Sequence, residues 1–314
     1  MPDPLSQFIQ QLTPRCEVFA QVQLREPWGI EEQASQQAFF SYLRSGRCVI
    51  DTQAGHSVEL QPGQLALLPY GHQHRIRSSH EASCQSAQFL FANKAQHEIE
   101  AMTIGGDGAR CQMMCGAFSF APLSHWGRDA QVGFLPDVFV VKVDADSRLQ
   151  QILWWLYDEN SRPQAGQSMA IEHLSQLLLL EMLRFGQPPQ RWPGWMHTFS
   201  DERLAKVMLA IQQDYQYDWT LEQLAAVAAL SRSSFAERFK QVTGTSAMAF
   251  LRQWRCFIAA QQLVSSQVSI KQLAHSVGFP SVDVFIRNFR QFQQCTPAQY
   301  RQRWRDGSPL QAAK

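Results

Sequence analysis

The chain has 314 residues, 45% of them hydrophobic and 18% charged, which predicts two globular domains with sizeable cores and excludes a disordered or collagen-like polymer. No apolar run nears the roughly eighteen residues of a membrane span, the first residues lack the pattern of a signal peptide, and seven irregularly spaced cysteines form no disulfide framework, so the expected location is the cytoplasm, away from membranes. The net charge of +1 hides an asymmetry: residues 1–200 carry 14 basic against 19 acidic side chains, residues 201–305 carry 13 against 7, and a basic segment of that kind suits a polyanion.

Residues 1–145 read mostly as strands, opened by a short helix near Leu5–Leu12. Apolar runs at Phe39–Leu43, Cys48–Ile50, Leu65–Leu68 and Val138–Val141 are divided by Gly, Pro, Asp and His turns at the close spacing of a barrel or sandwich. Residues 147–186 turn helical, with Leu149, Ile152, Leu153 and Leu156 on one face and, beyond Arg162-Pro163, Ile171, Leu174, Leu177, Leu178 and Met182 on another. Residues 187–200 hold three prolines and a glycine and read as a linker. From Asp201 to Trp304 the pattern is helical throughout. The expected organisation is therefore an α+β multidomain chain. Residues 1–186 form a sensor and dimerisation domain (barrel about 15–145, helices about 147–186), 187–200 the linker, 201–305 an all-α domain, and 306–314 a tail.

The all-α segment contains a repeat. Residues 220–240 (TLEQLAAVAALSRSSFAERFK) align with 269–290 (SIKQLAHSVGFPSVDVFIRNFR) with one extra residue in the second turn. Thr220 and Ser269 each open a capping box closed by Gln223 or Gln272, Ala229 and Gly278 are the small turn residues, and Ser231 and Ser281 cap the next helix. In that helix Phe235, Phe239 and Val242, or Phe285, Phe289 and Phe292, face inward at i, i+4, i+7. The free face carries Arg232, Ser233, Ala236 and Glu237 in one copy and Val282, Asp283, Ile286 and Arg287 in the other; these are the candidates for reading DNA bases. Ser231, Lys240, Ser281 and Arg290 are the candidates for phosphate. Between the copies Ser246–Ser265 reads as one helix about 30 Å long, close to the roughly 34 Å between successive major grooves. Thr296-Pro297-Ala298-Gln299 starts a last helix.

These residues resemble the DNA-binding domain of AraC/XylS transcription regulators: Leu224-Ala225, Ser231-x-x-x-Phe235-x-x-x-Phe239-Lys240-x-x-x-Gly244, Ile270-x-x-Leu273-Ala274-x-x-x-Gly278-Phe279, Phe285-x-Arg287-x-Phe289-Arg290 and Thr296-Pro297-x-x-Tyr300-Arg301. The resemblance implies promoter binding, contact with RNA polymerase and a role as an activator. Glu237 departs from the Arg that family members often carry. In the second unit Asp283 and the aliphatics Val282 and Ile286 leave Arg287 to fork onto guanine.

The N-terminal half also carries a resemblance, to the cupin-type sensor domain of one AraC-like subgroup. It rests on Pro14-Arg15, Pro27-Trp28-Gly29, Gly46-Arg47-Cys48, the Gly63…Pro69-x-Gly71-x-x-His74 order and Cys115-Gly116. It implies a cavity for an unidentified small effector, with Phe40, Tyr42, His72 and His74 as candidate walls. The strand expected to carry a cupin enzyme's first histidines, Gln37–Ile50, holds none. His72 and His74 fall short of the three or so protein ligands a catalytic metal needs, so no metal, no cofactor and no catalytic residue is expected. Cys111, Met113 and Cys115 would share an inward strand face, the two sulfurs about 13 Å apart and too distant to bridge. Cys115 resembles a reactive position in oxidant-sensing members, with Cys16, Cys48 and Cys84 as partners only by existing. The expectation is a sequence-specific transcription regulator, homodimeric through the Leu-rich helix, that answers a small ligand or a stress. A redox sensor and a cupin metalloenzyme with a DNA-binding tail are the alternatives.

Overall fold

Apolar residues two apart build the first half of the chain and apolar residues three and four apart build the second, so the two halves bury their faces in different ways. The computed structural model describes residues 3–12, 14–35, 37–53, 55–119, 137–162, 164–185 and 194–305, without the side chains of 15–19. Among these, 14–119 with 137–185 form one compact unit and 3–12 with 194–305 form another.

The first unit holds eleven described strands: β1 (Arg15–Arg25), β2 (Gly29–Glu32), β3 (Gln37–Ser45), β4 (Cys48–Thr52), β5 (Ser57–Leu60), β6 (Gln64–Leu68), β7 (His74–Arg77), β8 (Gln85–Ser86), β9 (Thr103–Gly105), β10 (Arg110–Ser119) and β11 (Phe139–Lys142). The expected barrel is built as two sheets, β11-β6-β3-β10-β1-β9 and β5-β4-β7-β2-β8. One core between them takes Val22, Leu24, Leu43 and Met113 from the first sheet and Ile30, Ile50 and Ile76 from the second. The Pro69–His74 turn needs a glycine at Gly71: its φ is +59°, and a Cβ there would meet the carbonyl oxygens of Gln37 and Ser35 at 2.4 and 2.5 Å. Two short helices, α2 (Ala87–Phe91) and α3 (Gln96–Ala101), interrupt the strands. Helices α4 (Arg148–Ser161) and α5 (Gln167–Phe185) follow them. Leu178 and Met182 of α5 are fully buried, whereas Leu177 is exposed.

The second unit is helical: a 3-10 helix (Gly194–Ser200), then α6 (Glu202–Gln213), α7 (Leu221–Val227), α8 (Arg232–Thr243), α9 (Ala247–Ser265), α10 (Ile270–Ser276), α11 (Val282–Gln293) and α12 (Pro297–Arg305). The capping boxes at Thr220 and Ser269 form as their sequences require, Thr220 Oγ1 and Ser269 Oγ each accepting from a backbone N–H at 3.2 Å. Twelve of the nineteen residues of α9 are buried, so this helix is the axis of the unit rather than an amphipathic surface helix. Arg255 within it is 5% exposed and donates to the carbonyl oxygens of Tyr215 (2.7 Å) and Tyr217 (2.8 Å), which pins the 214–219 loop.

Two findings amend the expected boundaries. Of the stretch 187–200 read as a linker, Gly194–Ser200 is helical and buries Trp195 and Met196 in the second unit, while 187–193 lie outside the described residues. The aromatic and methionine side chains there outweigh the turn residues before them. The opening helix α1 (Pro4–Leu12), grouped by position with the strands, packs instead with the C-terminal helices. Its Phe8 is fully buried, 4.6 Å from Trp195, 6.4 Å from Trp254 and 6.3 Å from Phe257 between ring centroids, and Gln261 Nε2 donates to the Gln11 carbonyl at 2.5 Å. Phe8→Ala should therefore destabilise the C-terminal unit by about 3–5 kcal/mol. Thermal unfolding of the full chain followed by tryptophan fluorescence checks this, and a melting temperature equal to wild type would remove α1 from that core.

Candidate functional site

Each repeat folds as helix, tight turn, helix. In the first, α7 leads through Ala229 at φ +51° into α8; in the second, α10 leads through Gly278 at φ +89° into α11. Both turns visit the left-handed region at the same aligned position, which the first copy tolerates with an alanine at some strain. The second requires glycine outright, since a Cβ on Gly278 would lie 2.8 Å from the Gln216 carbonyl oxygen and 2.9 Å from the Arg255 guanidinium. Ser231 and Ser281 cap the recognition helices, accepting from Ser234 N at 3.2 Å and Val284 N at 3.3 Å. Ser231 Oγ also donates its proton to Ser234 Oγ at 2.9 Å, whereas the Ser281 hydroxyl has a proton to give.

Aromatic packing fixes which way the recognition helices face. Phe235 and Phe239 are fully buried and stack edge-on at 5.6 Å, and Phe239 meets Phe250 of α9 at 6.3 Å. In the second copy Phe279, Phe285, Phe289 and Tyr300 form a run at 5.4 to 5.5 Å. With those rings inward, Arg232, Ser233, Glu237 and Lys240 of α8 are exposed and Ala236 half-buried; on α11 Asp283, Arg287 and Arg290 are exposed and Val282 and Ile286 half-buried. Asp283, Ile286, Arg287 and Arg290 line one shallow depression on the outer face of α11. The free face of α8 is partly engaged, since Arg232 pairs with Glu222 of α7 at 2.9 Å.

The strand-rich unit holds a cavity of about 420 Å³, partly open to solvent, walled mainly by aliphatic and aromatic side chains such as Val22, Leu24, Phe39, Ile76, Phe91 and Met113. That size suits a small ligand. Of the four expected wall residues, Phe40 and His74 border it and Tyr42 and His72 do not. Strand alternation accounts for Tyr42. Phe39 and Leu43 of β3 pack toward the core, whereas Tyr42 shares the strand phase of Arg44, which lies 4.9 Å over the Trp154 ring. His72 is in the turn, stacked on Tyr70 at 5.7 Å. Glu32, which the sequence reading missed, also lines the cavity. Its signal was present: Trp28, Ile30 and Glu32 alternate inward while Glu31 points out to Arg75 at 2.8 Å.

Comparison with known proteins bears on both units. Residues 3–185 match a cupin family and residues 224–303 match a helix-turn-helix domain. A putative AraC-like transcription regulator of Streptomyces lividans is 26% identical over 307 residues, covering 95% of this chain and 98% of that protein. The RCS-specific HTH-type transcriptional activator RclR of Escherichia coli K12 is 24% identical over 315 residues, covering 98% of this chain and 100% of its own. Among solved structures, unsaturated fatty acid-bound ToxT of Vibrio cholerae aligns with a TM-score of 0.41 at 12% identity, over 91% of this chain and 95% of that one. The chain belongs to the AraC-like transcription regulators with an N-terminal cupin domain.

This AraC-like regulator thus binds DNA through its C-terminal unit, and its relatives are named as transcription regulators rather than enzymes. No helix of its described residues is long and apolar enough to cross a membrane, and no cluster of three or more His, Cys, Asp or Glu that could hold a metal occurs among them. Cys48, Cys111 and Cys115 of the cupin unit are poor nucleophiles. Cys115 lines the cavity 3.7 Å from Ser41 Oγ, and burial pushes its thiol up to about 12; burial does the same for Cys111, whose Sγ donates to the Arg47 carbonyl. Cys48 is raised further by burial and by those two neighbours. The side chain of Cys16 lies outside the described residues. Since the thiolate is the reactive form, brief treatment of the folded protein with iodoacetamide at pH 7.5 should label the half-buried Cys84 well before Cys48, Cys111 or Cys115. Peptide mass spectrometry reads the order, and early labelling of Cys115 would restore a redox role for it.

Proposed function

We propose that the regulator reads a bipartite promoter site with both recognition helices of one chain, and that occupancy of the cupin cavity by a small molecule is its signal. One observation carries the reading: two helix-turn-helix units of matching turn geometry are built on a single buried helix of 19 residues, about 28 Å long. That length approaches the spacing of successive major grooves on one face of DNA. Arg287, exposed on α11 beside Ile286 and Asp283, supplies the main base contact of the second half-site, and Lys240 and Arg290 approach phosphates. RNA polymerase is the second partner, in the cytoplasm, and the protein works without catalysing a reaction.

Selection of bound sequences from a random duplex library tests this with the full chain, since α1 contributes to the C-terminal core. The expected result is two half-sites 10–10.5 base pairs apart. Arg287→Ala should then cost about 1–3 kcal/mol at one base pair and relax specificity there. Equal loss for all sequences would make Arg287 a phosphate contact, and enrichment of no sequence would end the promoter-specific reading.

The regulator is further proposed to pair as a homodimer through α4 and α5. Trp155, Met169, Leu177 and Phe185 on these helices are 57%, 66%, 43% and 59% exposed, an apolar content that solvated helix faces rarely carry. Light scattering at micromolar concentration should give twice the 35.8 kDa chain mass. A single-chain mass would place dimerisation elsewhere or nowhere.

A further inference from the structure

The polar end of the cavity has an unusual charge balance. Glu32 and His74 face each other across the β2–β7 ladder as direct register partners, so their side chains leave the same face of the sheet and both border the cavity. Among the described residues that line the cavity the ionisable groups are Glu32, His74 and Cys115, and none is a lysine or arginine. The described residues of the elements around Glu32 supply no counter-charge either. On β7 Arg75 turns outward to Glu31, β3 contributes Phe39 and Ser41 to the wall, and α2 contributes Ala87, Gln88 and Phe91.

The hydrogen-bonding state of His74 follows from its partner. The ring is 3% exposed, and its Nδ1 lies 2.9 Å from the His72 carbonyl oxygen, which can only accept. Nδ1 therefore carries the proton and Nε2 carries a lone pair. Burial holds the ring neutral, with its pKa lowered to about 4. Burial also raises the Glu32 carboxyl to about 7, because its anion has given up water for an apolar wall. Two acceptors, on paired residues of neighbouring strands, thus border one apolar space.

We infer that the cavity takes a lipophilic ammonium ion, an alkyl or aryl chain with one protonated nitrogen seated between the Glu32 carboxylate and His74 Nε2. The inference rests on the reading of the cavity as the sensor site and names the class of ligand for it. An ammonium brings several N–H donors to two acceptors and supplies the positive charge that Glu32 lacks. Its tail replaces water along Val22, Leu24, Ile76 and Met113. A carboxylate of the same shape would place a second negative charge beside Glu32 with no cation to offset either. The neutral amides of Gln33, Gln37 and Gln88 at the wall do not alter that balance of charge.

Isothermal titration of the full chain with octylamine, octan-1-ol and octanoate, at pH 8 and pH 6, tests the assignment. Octylamine should bind at least tenfold more tightly than octanoate at pH 8. Its affinity should fall about tenfold on going to pH 6, because the free carboxyl, with a pKa of about 7, must give up its proton to meet the ammonium. Glu32→Gln should abolish the preference for the amine while leaving octan-1-ol binding in place, which also shows that the variant folds. Octanoate binding as tightly as octylamine, or an amine preference that survives Glu32→Gln, overturns the inference. Octan-1-ol binding without any amine preference overturns it too but leaves the cavity as a sensor site. Binding of none of the three removes both.

Discussion

Burial of Trp254 organises the C-terminal unit. Its indole lies 6.3 Å from Phe250, 5.2 Å from Phe257 and 6.4 Å from Phe8, and Phe250 continues the contact to Phe239 and so to the inner face of α8. A large aromatic side chain buries enough apolar surface to fix the elements around it, and stacked neighbours add directional preference to that burial. The outward face of the first recognition helix is set by this column rather than by anything on its own surface. The second recognition helix has its own aromatic run through Phe279, Phe285, Phe289 and Tyr300, and is tied to the same axis by Arg301, which donates to the carbonyls of Leu263 and Val268. Two reading heads on one stiff core have a fixed register toward each other, which is what a bipartite site demands.

The cupin unit solves a different problem. An apolar cavity destabilises a fold unless something fills it or the walls are stiff enough to hold it open. Here two sheets of six and five strands provide the stiffness, and the turn at Gly71 braces the rim against Ser35. An acid at such a site is costly to ionise, so Glu32, the last residue of β2, adds nothing to stability unless its charge is met.

Much of this was legible before any coordinates. Caps, small turn residues and the spacing of phenylalanines are local signals, so both helix-turn-helix units and the helix between them follow from the sequence almost residue by residue. The strands at Phe39–Leu43 and Leu65–Leu68 were equally plain. The misses have physical reasons. Helices α2 and α3 have five and six residues, too short for a 3.6-residue period to show. Tyr42 was assigned to the cavity because an aromatic on a strand looks like a wall, yet which face is inward depends on the partner strand and not on the residue. An acid in the inward phase, as at Glu32, looks in the sequence like a break in an apolar alternation. The partner of α1 lies more than 180 residues away in sequence, beyond the reach of any local rule.

That separation has a consequence for how the molecule is made. Phe8 and Trp254 touch in the finished protein but are 246 positions apart. At roughly 5–20 residues per second, α1 waits on the order of 12 to 50 seconds on the ribosome before its receiving surface exists. During that interval a nine-residue helix with Phe8, Ile9 and Leu12 on one face is an exposed adhesive segment, while the strands that follow it are already able to collapse. The C-terminal unit is therefore a product of the whole chain, completed by the part synthesised first. A nascent regulator completes that unit only after α6 and α9 have come back to collect its first helix.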